Sequence, residues 1–182
     1  QRVTFLEKIM RLLATTLLAA TAFASPAFAD TVVIHAGHVI TDAARPAAGA
    51  STITVTDGKI VSIADGYADA PAGARVVELR DKTVLPGLID LHVHLESNPG
   101  GDFRDEAVIT DDYAALVGAH NALITVKAGF TTVRDLGSAP RGGFALRDAT
   151  AKGLIPGPRI VSSGPAISII GGHGDVSGYR PE

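Results

Sequence analysis

Three side chains with metal-binding chemistry alternate with apolar residues in the segment LPGLIDLHVHL, residues 85–95. Asp90, His92 and His94 occupy every second position, so on a β-strand they share one face. The opposite, apolar face would hold Leu91, Val93 and Leu95. Two adjacent imidazoles can bind one metal ion, and Asp90 would be a hydrogen-bond partner of a ligating ring or a structural group. The alternative is two partly buried histidines with local hydrogen bonds.

A second candidate is the loop IIGGHGD, residues 169–175. Its glycines would let the backbone approach a ligand closely, and His173 could contact a substrate carboxylate or stabilise an oxyanion. The residues of this predicted substrate loop are Gly171, Gly172, His173 and Asp175. The alternative is a mobile loop with a solvated histidine.

The other polar residues receive structural interpretations. Arg134 and Asp135 end a predicted strand and point to opposite faces, so we expect an ion pair or a helix cap there. His120 is expected at the edge of the core, and His35 and His38 are expected to be structural.

The first elements along the chain are β-strands. Residues 31–63 contain strand-like runs around Asp57-Gly58, a dipeptide typical of a type I′ hairpin turn. A further turn is predicted at Asp81-Lys82. These patterns predict a small, sandwich-like N-terminal β domain over residues 30–83.

Helices and strands alternate after Pro86-Gly87. A helix is predicted over residues 111–127, with Thr110 or Asp111 as its cap and Gly129 as its end. Its apolar stripe would comprise Tyr113, Leu116, Val117, His120, Leu123, Ile124 and Lys127. The segments TTVRDLGS, GGFALRDATAKG (closed by Gly153) and PRIVSSGPAIS read as strand, short helix and strand.

This order predicts parallel strands joined by right-handed crossovers and an α/β fold. A closed eight-stranded (β/α)8 TIM-type barrel needs about 250 residues. Residues 84–182 are therefore interpreted as the first part of such a barrel, truncated after about three strands.

Composition limits the chemistry. The net charge is −3, which gives no basic footprint for nucleic acid. The chain has no cysteine, so it has no disulfide, thiolate nucleophile or thiolate metal ligand. Any metal must be bound by His, Asp, Glu or a modified side chain.

The beginning of the chain reads as a targeting segment. Residues 10–29 combine Arg11, an apolar run over residues 12–24 and the small-residue site Ala27-Phe28-Ala29. The run is shorter than the roughly 20 residues of a membrane span. We therefore expect a signal peptide cleaved after Ala29, export to a periplasm or the extracellular space, and no stable membrane span. Residues 1–9 are interpreted as upstream sequence.

The motif blocks KTVLPGLIDLHVHL, GFTTVRDLGS and GPRIVSSGPAISIIGGHGD, following a small β domain, resemble the opening of the amidohydrolase superfamily. The nearest members are the imidazolonepropionase-like and Xaa-Pro dipeptidase-like ones, and the likeness covers nearly all of residues 31–178. The resemblance implies that His92 and His94 bind the more buried metal of a centre with one or two ions, typically Zn²⁺. It also implies that a carboxylated lysine, two histidines and the general-base aspartate come from later strands that this chain lacks.

The resemblance thus implies an exported, metal-dependent amidohydrolase that hydrolyses a dipeptide, such as an Xaa-Pro dipeptide, or a cyclic amide. The 182 residues would be an incomplete piece, inactive alone. The expected partner is a small-molecule or dipeptide substrate, with homo-oligomerisation in the full-length form. The alternative is a non-catalytic truncated chain with at most a partial metal site.

Overall fold

The computed structural model describes residues 30–101 and 108–175. The chain divides into two compact units, Gln1–Leu85 and Pro86–Glu182, called here the N-terminal and C-terminal units. No helix among the described residues is long and apolar enough to cross a membrane.

The N-terminal unit is one mixed β-sheet. Its strands are β1 (Thr31–Val39), β2 (Ser51–Thr56), β3 (Lys59–Asp65) and β4 (Arg75–Val84). Their order is β3-β2-β1-β4, with β1 parallel to β4 and the other pairs antiparallel. Because the described strands of this unit form a single sheet, a sandwich-like arrangement is not confirmed.

The hairpin between β2 and β3 is confirmed. Asp57 and Gly58 have φ angles of 50° and 74°, the two positive values that a type I′ turn needs.

The turn predicted at Asp81-Lys82 is wrong, because β4 continues through both residues. The pairing of β4 with β1 shifts at this point, and a Cβ on Gly37 would overlap the carbonyl oxygen of Arg80. The turn-like residues therefore form a bulge within one strand, opposite a glycine that leaves room for it.

His35 has the structural role that its context predicts. It is buried, with Nδ1 2.9 Å from Oε1 of Glu78 and Nε2 2.9 Å from the carbonyl oxygen of Ala68. His38, on the same strand, is exposed. His35 thus joins β1 to β4 and to the segment before β4.

The C-terminal unit alternates strands and helices. Its elements are β5 (Leu88–Val93), α1 (Asp111–Lys127), β6 (Phe130–Asp135), α2 (Gly142–Ala151) and β7 (Arg159–Ser162). The three strands form a parallel sheet in the order β5-β6-β7. The predicted parallel connections through helices are confirmed.

Helix α1 begins and ends as predicted, but it buries a different face. Thr110 accepts a hydrogen bond from the backbone of Tyr113, and Gly129 has a φ of 98° after the last turn. The buried residues are the small ones at four-residue spacing, Ala114, Gly118 and Ala122.

The predicted apolar stripe of α1 is largely on the surface. Leu116 is 70% exposed, and His120 is exposed, so the core-edge position expected for His120 is wrong. The physical reason is close helix packing: a Cβ on Gly118 would overlap Cδ1 of Leu146 on α2. Small residues occupy the buried face of α1 because larger side chains would keep α2 from approaching.

The core of the C-terminal unit lies between the sheet and the helices. Its buried members are Leu95, Val133, Leu146 and Ile160, with Val93 packed against them. Leu91, expected on the same apolar face, is 61% exposed. The alternating pattern therefore predicts the buried face correctly only toward the carboxyl end of β5.

Candidate metal centre

The carboxyl ends of the three parallel strands meet at one edge of the sheet. Backbone hydrogen bonds join the loops there: Ser138 N donates to Gly164 O at 3.1 Å, and Ser163 N donates to Asp135 O at 3.0 Å. These two bonds hold the end of β6 to the segment after β7, and Leu136 N, after β6, donates to the carbonyl oxygen of Val93 on β5 at 3.1 Å.

His92 and His94 lie side by side at this edge. Their ring centroids are 5.3 Å apart, the ring planes meet at 66°, and both residues are exposed. The expected placement on one side of the strand is thus present, although His94 follows the last residue of β5 by one position. Metal binding by the pair stays a prediction.

The imidazole of His94 rests on the turn after β6. Its Nδ1 is 3.1 Å from the carbonyl oxygen of Gly137. Since a carbonyl only accepts, this hydrogen bond requires a proton on Nδ1, and in the neutral imidazole the lone pair is then on Nε2. A Cβ on Gly137 would lie 3.1 Å from both Cε1 and Nδ1 of the ring, so a glycine is what allows this close contact.

Asp90 acts on the backbone of its own strand. Its Oδ1 accepts a hydrogen bond from the backbone N–H of His92 at 3.0 Å. The second role considered for it, as partner of a ligating ring, stays a prediction. The ring partner that the structure supplies for His94 is instead the carbonyl of Gly137.

Asp135 is a buried carboxylate that sequence reasoning misread. It is 0% exposed; its Oδ2 accepts from Leu95 N at 3.3 Å and its Oδ1 from Gly137 N at 3.1 Å. Burial raises the pKa of Asp135, and the hydrogen bonds from Gly137 and Leu95 and the nearby His94 oppose the rise.

The ion pair or helix cap expected at Arg134 and Asp135 is wrong. Arg134 Nε donates to the carbonyl oxygen of Leu91 at 2.7 Å, while Asp135 binds backbone N–H groups. Alternation along β6 contained the missing signal, because Asp135 shares a face with the buried Val133. A carboxylate on the buried face needs internal donors, and it finds them.

Two further polar residues hold the segment after His94, and sequence reasoning missed both. Glu96 is buried, and its Oε2 accepts from Ala139 N at 2.6 Å. Asn121, on α1, donates from Nδ2 to the carbonyls of Leu95 and Ser97 at 2.8 and 3.0 Å. The segment is thus anchored to α1 and to the loop before α2.

The predicted substrate loop is closed by its own hydrogen bonds. Asp175 Oδ2 accepts from Gly171 N at 2.7 Å, and Gly172 N donates to the carbonyl oxygen of Ile169 at 2.8 Å. His173 is exposed, as are Gly171 and Gly174 on either side of it. A substrate role for these residues stays a prediction.

This loop lies close to the turn that supports His94. A Cβ on Gly137 would be 3.2 Å from Cβ of Ala166, and one on Gly174 would be 3.1 Å from the same atom. Ala166 therefore lies between the turn after β6 and the loop that contains His173.

The donor set fits part of a metal centre. Two exposed imidazoles are adjacent, and one is oriented by a carbonyl, the usual partner of a ligating histidine. Within residues 30–101 and 108–175, no group of three or more metal-ligating side chains is present. These residues fit as two ligands of a divalent ion.

Comparison with known proteins gives one consistent family. The model of the amidohydrolase family matches residues 83–178. The crystal structure of a Xaa-Pro dipeptidase with bound methionine in the active site has a TM-score of 0.73 and 31% identity, covering 84% of this chain and 37% of the dipeptidase.

Two curated relatives are similar in sequence. Dihydroorotase from Anaeromyxobacter sp. (strain K) is 38% identical over 94 residues, which are 52% of this chain and 21% of the relative. Ochratoxinase from Aspergillus niger is 32% identical over 157 residues, 81% of this chain and 31% of the relative. The chain spans about a third or less of the length of these curated relatives.

Proposed function

This chain belongs to the amidohydrolase family, and we propose that the intact protein containing it is an exported, metal-dependent hydrolase of an amide bond. The observation that carries the proposal is the adjacent pair His92 and His94 at the carboxyl end of a parallel strand. In α/β barrels this edge is where catalytic groups are placed.

The fold proposed for the intact protein is a (β/α)8 barrel, of which β5, β6 and β7 are the first strands. The parallel order with intervening helices supports it. So does the similarity to the Xaa-Pro dipeptidase over 84% of the chain. Leu91 and Val161, exposed on the sheet, are apolar side chains that further barrel elements would cover.

His92 and His94 would hold the metal, which we propose is Zn²⁺, as one or two ions. Such an ion supplies Lewis-acid polarisation of the amide carbonyl and acidifies a water molecule. His94 is prepared for this role because Gly137 keeps its Nδ1 protonated and its Nε2 available.

His173 and the loop around it would contact the substrate. An imidazole there can donate a hydrogen bond to a substrate carboxylate or to the oxygen that gains negative charge during hydrolysis. The position of Ala166 between Gly137 and Gly174 supports this assignment, since it brings the loop next to the His94 support.

A dipeptide, in particular of the Xaa-Pro type, is the first candidate substrate, and a cyclic amide is the second. We place the dipeptide first because the Xaa-Pro dipeptidase is similar over a larger share of this chain, 84%, than the dihydroorotase, which is similar over 52%. This chain covers 37% of the length of the Xaa-Pro dipeptidase. We propose that the remaining ligands and the general-base aspartate come from barrel strands after β7 in the intact protein, and that the 182 residues alone are inactive.

The test uses the intact protein, stripped of metal and reloaded with Zn²⁺, with Xaa-Pro dipeptides, other dipeptides and cyclic amides as substrates. We expect hydrolysis that requires the metal. His92→Ala and His94→Ala should each lower kcat/KM by more than about 100-fold, beyond the usual effect of an outer-shell partner.

The matched control is His120→Ala, which removes an exposed imidazole from α1 and should leave kcat/KM unchanged. Full activity of the His94→Ala protein, or activity without metal, would contradict the proposal. Zinc binding without hydrolysis of any of these substrates would instead support the non-catalytic alternative.

A further inference from the structure

The buried carboxylate of Asp135 is hydrogen-bonded to both segments that position His94. Asp135 lies at the end of the central strand β6, opposite Val93 on β5. It accepts from the backbone of Leu95, the residue after His94, and from the backbone of Gly137. One carboxylate therefore ties the strand end that carries His94 to the turn on which its ring rests.

Gly137 takes part in two of these hydrogen bonds, once as donor and once as acceptor. Gly137 N donates to Asp135, and Gly137 O accepts from His94 Nδ1 at 3.1 Å. Asp135 thus fixes the N–H of Gly137, and the carbonyl of Gly137 binds the His94 ring. The N–H and the carbonyl of Gly137 lie in successive peptide planes, so once the N–H is fixed only the φ and ψ angles of Gly137 set where the carbonyl points.

Burial makes the hydrogen bonds of Asp135 necessary. A fully buried carboxylate is costly unless it is hydrogen-bonded, and here both oxygens have backbone donors. Exchange of one oxygen for an amide NH₂ would place a donor against a backbone N–H. The turn would then have to move, and the carbonyl that supports His94 would move with it.

We propose that Asp135 is a positioning residue: it holds the Gly137 turn so that the Gly137 carbonyl keeps His94 in the Nδ1-protonated form and presents Nε2 to the metal. This inference rests on the proposed function for the metal. The effect of Asp135 on the His94 tautomer can be measured in the metal-free protein, independently of metal binding.

The test compares Asp135→Asn with the wild type in the intact protein. The first readout is the ¹⁵N NMR signal of the His94 ring in metal-free, histidine-labelled protein, assigned through its loss in His94→Gln. We expect Nδ1 protonated in the wild type and a substantial Nε2-protonated population in Asp135→Asn. The second readout is Zn²⁺ affinity by competition with a chelator, which should fall about 10- to 100-fold.

Val133→Ala is the control for a merely structural effect. Val133 is fully buried two residues earlier on β6, so its truncation loosens the same strand without touching the His94 support. It should keep the wild-type tautomer and the wild-type Zn²⁺ affinity.

Two outcomes would overturn the inference: an unchanged His94 tautomer in Asp135→Asn, or equal effects of Asp135→Asn and Val133→Ala. Failure of the proposed function has a different signature. A wild-type protein that binds no Zn²⁺ would refute the metal site, while the tautomer comparison would still decide whether Asp135 positions His94.

Discussion

At the scale of single residues, the candidate centre depends on backbone groups as much as on side chains. The carbonyl of Gly137 orients His94, and the N–H groups of Leu95 and Gly137 satisfy Asp135. Ala166 approaches the same glycine from the loop after β7. Small size at position 137 is therefore a requirement of the site, not only of the turn.

We predict that Gly137→Ala weakens metal binding without preventing folding. The new Cβ would lie 3.1 Å from two atoms of the His94 ring, closer than ordinary van der Waals contact, so the ring must shift by a few tenths of an ångström. Zn²⁺ affinity, measured by chelator competition in the intact protein, should fall about tenfold.

The control is Gly174→Ala. Its Cβ would meet the same Ala166 atom at 3.1 Å without meeting His94. Equal Zn²⁺ affinity of the two variants would show that the contact with the His94 ring is not what Gly137 protects.

At the scale of elements, strand pairs are joined by polar contacts as well as by their ladders. In the N-terminal unit, Glu78 on β4 binds His35 on β1 and Arg80 on its own strand, at 2.9 and 2.6 Å. Arg80 also lies over the ring of Tyr67, 4.2 Å from its centroid. These contacts add side-chain links to the β1–β4 ladder.

This cluster predicts how the N-terminal sheet responds to acid. The hydrogen bonds from Arg80 and His35 lower the pKa of Glu78 from its ordinary value of 4.5. The carboxylate therefore stabilises the folded sheet fully above pH 4.5, and this contribution is lost as the pH falls through the lower pKa of the folded state.

Hydrogen exchange of peptides from β1 and β4, corrected for the intrinsic pH dependence of exchange, measures this effect. Protection in the wild type should decrease below pH 4.5 more steeply than in Glu78→Gln, which has no carboxylate to protonate. Parallel curves for the two proteins would refute the assignment.

At the scale of the whole molecule, the two units have different sheet types. The N-terminal unit is a mixed sheet, and the C-terminal unit is the parallel α/β part that the family model matches from residue 83 onward. The candidate ligands and the predicted substrate loop all belong to the C-terminal unit.

We also predict that the exported protein begins at Asp30. Residues 10–29 lie outside the described residues, but Asp30 is described, and its backbone N–H donates to Oδ1 of Asp57 at 3.1 Å. After cleavage this nitrogen would be an ammonium group next to that carboxylate, a favourable end for the mature chain. Mass spectrometry of the amino terminus of periplasmic or secreted protein tests this; a terminus at another residue, or retention in the cytoplasm, would contradict it.

The local patterns of the sequence determined much of this protein. The period of two around His92 and His94, the Asp57-Gly58 turn, the Thr110 cap and the alternation of strands with helices each depend on neighbours within a few residues. For that reason the parallel sheet and the adjacent imidazoles could be predicted from the amino-acid sequence alone.

Only the tertiary structure decided which surfaces meet. The contacts of Asp135 with Leu95 and of Gly137 with His94 join residues 40 and 43 positions apart, and the small face of α1 is buried because α2 packs on it. No local period contains such information. The candidate ligand pair could therefore be predicted from the strand, while the contacts that support it depend on how β5 and β6 pair.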